Sequence, residues 1–216
     1  MNESLRIDRL GIAFRGKVVF DGLSHVFPVG CHLIQGANGT GKSSLLGAMA
    51  GHVPYTGRIA IDGHDLAHDG EKARRSLAYV PDEPTFYPFV TGRAFVDFVL
   101  RTHRRSVISE KRCFDDMVGR LGLREHLDTR FGEASLGTRR KFFLLAAFLL
   151  SPGVILLDEP FNGLDAAAAE EVLGWLHDAA QMQTILLTCH QLPSQAVLEA
   201  SRWILGQIPH TTLAVS

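Results

Sequence analysis

The chain has no long apolar run, and this absence excludes a helix that crosses a membrane. Its longest uninterrupted apolar stretch is Phe142–Leu150, far short of the roughly 20 residues that a spanning helix needs. We therefore expect a buried helix there. Residues 1–9 also lack the apolar segment of a signal peptide, which predicts that the chain stays in the cytoplasm.

Cysteine is scarce, and so is an excess of charge of one sign. Cys31, Cys113 and Cys189 are widely spaced and form no C-x-x-C pair, which favours free, mostly buried thiols over a disulfide framework or a metal site. A formal net charge of -1 gives no electrostatic reason to expect nucleic-acid binding. The 216 residues suffice for one sizeable domain, or for a core domain that carries an insert.

What the chain does contain is a phosphate-binding pattern, G-x-x-x-x-G-K-[ST], at Gly36–Ser43, which we call the phosphate loop. Glycines let the backbone turn so that its N–H groups cradle phosphate oxygens, Lys42 neutralises the β and γ phosphates, and the Ser43 hydroxyl suits Mg²⁺. The residues assigned to nucleotide binding here are Gly36, Ala37, Asn38, Gly39, Thr40, Gly41, Lys42, Ser43 and Ser44.

A glycine-rich turn that binds nothing is the alternative interpretation of this segment. Its neighbours disfavour that alternative: Cys31–Ile34 is apolar and predicts a strand before the loop, while Ser44–Ala50 predicts a helix after it. Strand, loop and helix then follow in the order that a nucleotide triphosphate site requires.

The remaining pattern predicts a mixed α/β chain. Asp21-Gly22 is a hairpin signal between two apolar segments, which suggests an antiparallel beginning. Further on, strands alternate with a crossover helix, the pattern of a parallel sheet. The predicted strands are Leu5–Phe14, Lys17–Phe20, Leu23–Phe27, Gly57–Gly63, Ser76–Pro81, Val154–Leu157, Thr184–Leu187 and Arg202–Leu205; the predicted helices are Thr91–His103, Ser109–Leu121 and Ala166–Ala180; residues 209–216 are a predicted loose tail.

Two carboxylates follow the apolar strand Val154–Leu157. Asp158 would hold Mg²⁺ directly or through water, and Glu159 would be the general base for a water that attacks the γ-phosphate. A strand end with two solvated acids is the competing interpretation, and the presence of the phosphate loop makes it improbable. His190 follows the next predicted strand and should emerge at the same sheet edge, where it can reach a γ-phosphate; alone, a surface role for it would be favoured.

These residues together resemble the nucleotide-binding subunits of ABC transporters, in that family's motif order. Gly36–Ser43 is similar to its Walker A loop, Val154–Glu159 to its Walker B strand with catalytic glutamate, and His190 to its switch histidine. Glu133–Lys141, which we call the signature segment, resembles the motif that identifies the family, and Gly163–Asp165 resembles its D-loop. Phe14 lies where the family has an aromatic residue that stacks on adenine.

The resemblance implies an ABC ATPase fold: an α/β P-loop NTPase core with a mostly parallel sheet, an N-terminal antiparallel β part and an inserted α-helical subdomain. It implies one domain over 1–216, with residues 83–136 as the insert and residues 1–82 and 137–208 as the core. ATP and Mg²⁺ are the implied cofactors. The implied partners are a second ATPase subunit, identical or paralogous, and a separate transmembrane permease that holds the chain at the inner membrane face.

In such an assembly two subunits pair head to tail around two ATP molecules. Ser135 and Gly137 of one subunit would contact the γ-phosphate held by the phosphate loop of the other. Two residues depart from the family pattern: Asp82 stands where a glutamine usually contacts Mg²⁺ and water, and Leu136 where glycine is commonest. A carboxylate can bind Mg²⁺, so Asp82 joins Ser43 and Asp158 as a predicted metal ligand. The sequences around Asp82 and Leu136 resemble those of ABC-2-type exporters more than those of importers.

Other interpretations stay open. One alternative is a haem-exporter-type ATPase of cytochrome c maturation, whose typical signature differs from Ser135–Thr138 of this chain. Another is a soluble ABC ATPase outside transport. A P-loop kinase or GTPase leaves the signature segment unexplained. The aromatic residues of Phe86–Val90 would either receive the permease or fill the core of the insert, and Arg101–Arg105 is a solvated helix end in preference to a lipid contact.

Overall fold

The computed structural model describes residues 4–190 and 200–205. The strands are β1 Leu5–Phe14, β2 Lys17–Phe27, β3 Gly30–Gln35, β4 Thr56–Ile61, β5 His64–Asp65, β6 Leu77–Val80, β7 Val154–Leu157, β8 Thr184–Thr188 and β9 Ser201–Ile204. The helices are α1 Lys42–Met49, α2 Gly70–Arg75, α3 Gly92–Thr102, α4 Lys111–Arg120, α5 Leu136–Leu150 and α6 Ala166–Ala179, with a short 3₁₀ turn at Arg124–His126. The short elements β5 and α2 were not predicted, because their sequences carry too few residues to show a period.

An antiparallel sheet with the order β2-β1-β4-β5 forms the N-terminal part. The hairpin prediction at Asp21-Gly22 is wrong, since β2 runs unbroken through these residues and the turn lies between β1 and β2. The register changes from Leu10↔Leu23 to Ile12↔Phe20, so β2 has one extra residue there. Gly22, with a φ of 71°, therefore supplies a β-bulge instead of a turn.

The second sheet has the order β6-β7-β8-β3-β9, and all of its strand pairs are parallel. Strands β7 and β8 are buried along their whole length, as expected for central strands covered on both faces. The carboxyl ends of β3, β7 and β8 consequently lie along one edge, where open α/β sheets bind ligands.

Helices α3 and α4 occupy the predicted helical region and pack on α5. Gly92 at the start of α3 lies so close to the ring of Phe142 that a Cβ atom would be 2.2 Å from Cζ. The Phe95 and Phe143 rings contact each other with centroids 4.4 Å apart, and Phe131 packs against both, with centroids 5.3 and 5.9 Å away. The insert boundaries at 83 and 136 remain a prediction, and the core limit at 208 and the tail 209–216 lie outside the described residues.

Helix α5 is the buried helix that the apolar run predicts, with Phe142, Leu144 and Leu145 fully buried. Within residues 4–190 and 200–205, no helix combines the length and apolarity needed to cross a bilayer. Cys31 is buried and Cys189 half-buried. The expected burial is wrong for Cys113, which is exposed on α4 because this helix turns Phe114 and Val118 inward.

Candidate nucleotide-binding site

The phosphate loop joins β3 to α1 through a backbone conformation that requires glycine. Gly41 precedes the first residue of α1 and has a φ of 97°, in the left-handed region. A Cβ atom there would lie 2.5 Å from Val19 Cγ1 and 2.9 Å from Phe20 Cε2. Gly41 thus lets β2 contact the loop directly and aims the N-terminus of α1 at the position of an anion.

The Lys42 side chain folds back over the same loop. Its Nζ donates hydrogen bonds to the carbonyl oxygens of Gly36, at 2.8 Å, and Ala37, at 3.3 Å. The Thr40 hydroxyl donates to the Ala37 carbonyl at 2.9 Å, which closes the turn. The ammonium group is therefore held over the loop, where phosphate oxygens would be bound.

Phe14 lies at the end of β1, paired with Lys17 across the hairpin. Phe14 is 43% exposed, so its ring is accessible to a nucleotide base. Because Val19 and Phe20 of the same hairpin contact Gly41, the hairpin connects Phe14 to the phosphate loop. This placement suits a base-stacking role.

Asp158 and Glu159 follow β7 and are both buried, 3% and 7% exposed. The Thr188 hydroxyl, at the end of β8, links them: it donates to Asp158 Oδ1 at 2.6 Å and accepts from the Glu159 N–H at 2.9 Å. Glu159 has a φ of 49°, and a non-glycine residue in this region costs on the order of 1–3 kcal/mol. The surrounding contacts hold that conformation.

The Glu159 carboxylate points toward His190. Its Oε2 accepts from the His190 backbone N–H at 3.0 Å, while His190 Nε2 lies 3.5 Å from Oε1. Oε1 is buried and accepts no hydrogen bond from any described residue. A buried carboxylate oxygen left without a donor is ready to accept a proton from a bound water.

Asp82 follows β6 at the neighbouring strand end. Its Oδ1 accepts from Arg140 Nη2 at 3.0 Å and from Asn162 Nδ2 at 3.1 Å, and its backbone carbonyl also accepts from Arg140 Nη2. The carboxylate remains 43% exposed. Its predicted role as a metal ligand stays a prediction; in this structure it is the partner of a buried guanidinium.

The signature segment begins α5 with an N-cap. Ser135 Oγ accepts from the Thr138 N–H at 3.0 Å, and both Ser135 and Leu136 are exposed. At Gly137 a Cβ atom would lie 2.3 Å from the Gly163 carbonyl oxygen, so this glycine is also required by packing within its own chain. Among the described residues no hydrogen bond joins Ser135 or Gly137 to the phosphate loop.

The D-loop is tied to the same helix by an ion pair. Lys141 Nζ lies 2.6 Å from Asp165 Oδ2, and Asp165 Oδ1 accepts from the Ala168 N–H as the N-cap of α6. These two hydrogen bonds, the one from Lys141 foremost, hold the pKa of Asp165 below its usual range. Asp165 therefore stays ionised at neutral pH and fixes the start of α6.

Burial and the nearby Asp158 carboxylate raise the pKa of Tyr79 to about 12. The Ser43 hydroxyl and the Asp158 carboxylate are oxygen donors of the kind that Mg²⁺ prefers. No cluster of three or more His, Cys, Asp or Glu side chains in the described ranges could hold a metal alone, so phosphate and water oxygens would complete the coordination. The residues fit Mg²⁺ on these terms.

Three residues that the sequence analysis did not assign prove to belong to the site: Thr188, Arg140 and Asn162. A sequence feature could have pointed to Thr188, since it is a polar residue that ends an apolar strand just before His190. A feature could also have pointed to Arg140, because it is a charged residue that enters an apolar helix. No sequence feature pointed to Asn162, because only the fold brings it to Asp82.

A phosphate loop and strand-end carboxylates along one edge of a parallel sheet define a P-loop nucleotide-binding protein. Residues 25–162 match the family described as ABC transporter. The chain belongs to this family and carries its nucleotide-binding domain.

Individual relatives agree with this assignment. The chain is 36% identical over 179 residues to the cytochrome c biogenesis ATP-binding export protein CcmA of Aromatoleum aromaticum, covering 81% of this chain and 83% of CcmA. It is 34% identical over 179 residues to the sulfate/thiosulfate import ATP-binding protein CysA of Mycobacterium tuberculosis, covering 81% of this chain but only 51% of CysA. The chain thus spans about half the length of the CysA relatives that it matches. A solved structure of an ATP-binding subunit of an ABC transporter superimposes with a TM-score of 0.86 at 27% identity, over 93% of this chain and 85% of that one.

Proposed function

We propose that the chain is the ATP-hydrolysing motor subunit of an ABC transporter. The observation that carries this proposal is the buried Glu159 Oε1, which has no hydrogen-bond donor within residues 4–190 and 200–205. Glu159 adjoins Asp158 at the sheet edge that bears the phosphate loop. Family membership supports ATP as the nucleotide. A general base beside a phosphate-binding loop is the minimum that hydrolysis requires.

In this proposal the phosphate loop and Lys42 bind the β and γ phosphates, and Phe14 stacks on adenine. Glu159 Oε1 accepts a proton from the attacking water, and His190 orients the γ-phosphate from the exposed side. Ser43 and Asp158 would hold Mg²⁺, which supplies neutralisation of the charge that develops during phosphoryl transfer.

The active unit that we propose is a head-to-tail pair with a second ATPase subunit, identical or paralogous. Ser135 and Gly137 would contact the ATP held by the other subunit; Ser135 is exposed and Gly137 half-buried. A separate permease would dock on the helical region, where Tyr87 and Phe89 are each 71% exposed while Phe86 packs on the core, and would place the chain on the inner membrane face. Nucleic acid has no part in this proposal.

We propose that the transporter exports its substrate, because the sequences around Asp82 and Leu136 resemble those of ABC-2-type exporters. CcmA, an export protein by name, supports this direction and supports a haem-exporter-type ATPase as a second candidate; CysA is an import protein by name. Co-purification with a membrane protein distinguishes both candidates from a soluble ABC ATPase, and transport by reconstituted vesicles distinguishes export from import.

The first test is nucleotide binding by Lys42→Ala. Removing the ammonium leaves the phosphates without their nearest positive charge, so we expect ATP affinity to fall by about tenfold or more, measured by calorimetry with Mg-ATP. Lys72→Ala, at an exposed lysine of α2 outside the assigned site, is the matched control and should bind nearly as the wild type does. Equal affinity of Lys42→Ala and wild type would sink the assignment of the loop.

A further inference from the structure

Arg140 is a buried charge in an otherwise apolar helix. It lies one turn into α5, its side chain is only 2% exposed, and it is among the largest fully buried side chains of the described residues. Lys and Arg are almost never buried in this way unless they are paired. The guanidinium therefore needs partners that account for its position.

Its partners are two candidate site residues from different strand ends. Nη1 donates to the Glu159 carbonyl oxygen at 2.6 Å, and Nη2 donates to the carbonyl oxygen and to Oδ1 of Asp82. Nε finds no partner among the described residues. The planar fork thus joins the segment after β6 to the segment after β7, a geometry that the single ammonium of a lysine cannot reproduce.

The hydrogen bond from Arg140 to the Glu159 carbonyl supports an unusual backbone conformation. Glu159 has left-handed φ, and its peptide groups are fixed on both sides: Thr188 Oγ1 accepts from the N–H, and Arg140 Nη1 donates to the carbonyl. Without Arg140 the carbonyl keeps only the Asn162 N–H as a donor, at 3.1 Å, and the left-handed conformation loses its one contact with a charged group. The direction of the Glu159 carboxylate would change with the backbone.

Asp82 supplies the counter-charge. Its Oδ1 also accepts from Asn162 Nδ2, so this carboxylate is oriented from two sides although it is partly exposed. A buried guanidinium that lost its carboxylate would keep its desolvation cost without compensation.

We infer that Arg140 is a positioning residue for Glu159, and that Asp82 acts in this chain as the counter-ion that fixes Arg140. This inference rests on the proposed function, since it concerns the same base. It gives the carboxylate at position 82 a role that does not require direct contact with Mg²⁺: the Asp82–Arg140 pair sets the backbone from which the base acts.

The test compares Arg140→Met with Arg105→Met. Methionine keeps the length and apolar character of the stem but removes the fork. Arg105, the matched control, also binds a carboxylate and a backbone carbonyl: its Nη2 lies 2.8 Å from Glu110 Oε2, and its Nη1 donates to the Leu150 carbonyl at the far end of α5, away from Glu159. ATP affinity, kcat, KM and thermal midpoint are measured for both variants, for wild type and for Glu159→Gln.

We expect Arg140→Met to lower kcat about 10- to 100-fold, because small displacements of a base are costly, with KM and ATP affinity changed by no more than about twofold. Arg105→Met should leave kcat within about twofold of wild type at a comparable fall in thermal midpoint. In the Glu159→Gln background, adding Arg140→Met should lower the single-turnover rate by less than about twofold, since the base through which Arg140 acts is gone.

Asp82 offers a second route that keeps the core intact, because its side chain is partly exposed. Asp82→Asn should lower kcat without lowering ATP affinity, and Asp82→Glu should recover part of the loss. If Arg140→Met does not fold, Asp82→Asn and Asp82→Glu test the inference in its place.

Equal kcat values for Arg140→Met and Arg105→Met, full additivity with Glu159→Gln, or wild-type kcat for Asp82→Asn would each overturn the inference. Failure of the proposed function gives a different result: hydrolysis that is absent from wild type or unaffected by Glu159→Gln.

Discussion

At the scale of single residues, one hydroxyl group connects the two carboxylates of the candidate site. Thr188 is fully buried, donates to Asp158 and accepts from the Glu159 N–H. Because the hydroxyl is both donor and acceptor, it fixes the position of Asp158, which would hold the metal, relative to Glu159, which would act as the base. No apolar side chain of the same shape can do this.

Thr188→Val keeps the shape and removes both bonds. Leaving a buried carboxylate oxygen and a buried N–H without partners should lower the free energy of unfolding by about 1–3 kcal/mol, and we expect hydrolysis to fall by about tenfold or more as Glu159 loses its anchor. Urea unfolding and a phosphate-release assay measure the two effects.

The control for this prediction is Thr184→Val in the same strand. Thr184 is equally buried and donates to the Pro28 carbonyl at 3.0 Å, but it lies at the opposite end of β8 from Thr188. Thr184→Val should lower the free energy of unfolding and leave the rate of ATP hydrolysis unchanged. Loss of hydrolysis in both variants to the same extent would mean that Thr188 has only a structural role.

At the scale of elements, β3 and β9 meet the end of β2 in an aromatic cluster. His25 stacks on Trp203 with ring centroids 5.0 Å apart, and His32 hydrogen-bonds Ser201 and the Pro28 carbonyl. Burial and the neighbouring His32 lower the pKa of His25. Burial also lowers the pKa of His32, although the hydrogen bond to the Pro28 carbonyl acts in the opposite direction. Both rings are therefore neutral in the folded protein near neutral pH.

The lowered pKa values predict a pH dependence of stability. The unfolded chain binds protons at these histidines near their ordinary pKa of 6.5, before the folded chain does. Their stabilising contribution is thus complete above pH ~6.5 and is lost as pH falls toward the folded pKa values. His25→Phe keeps a ring for the Trp203 stack but cannot titrate.

We expect His25→Phe to lose less free energy of unfolding than wild type between about pH 7.5 and 5.5, measured by denaturant titration at both pH values. His177→Phe, at an exposed position of α6, should follow the wild type. An unchanged pH dependence in His25→Phe would refute this account of the cluster.

At the scale of the whole molecule, the exposed start of α5 predicts an assembly. The Glu159→Gln chain should bind ATP without consuming it and form a dimer, seen as a doubling of mass in light scattering. Leu136→Arg in this background should abolish the dimer, because Leu136 is 51% exposed within the signature segment and a charge there cannot be buried unpaired. Met182→Arg, at an exposed turn elsewhere, should have no effect; a dimer that survives Leu136→Arg would contradict the head-to-tail arrangement.

The sequence predicted the parallel sheet, its order of elements along the chain and the helices around 92–120, because these have clear periods and apolar strands. It failed at Asp21-Gly22, where the same residues suit a bulge or a turn and only the pairing of β1 with β2 decides. It did not predict the Asp82–Arg140–Glu159 contacts, since 58 residues separate Asp82 from Arg140 and no local pattern records which strand ends meet.

The measurement that tests the central claim most directly is a single turnover of bound Mg-ATP by Glu159→Gln beside wild type, with ATP affinity measured on the same samples. If Glu159 is the base, affinity stays within about twofold while the hydrolysis rate falls by about 100-fold or more. Near-normal hydrolysis by Glu159→Gln at unchanged affinity would contradict the account.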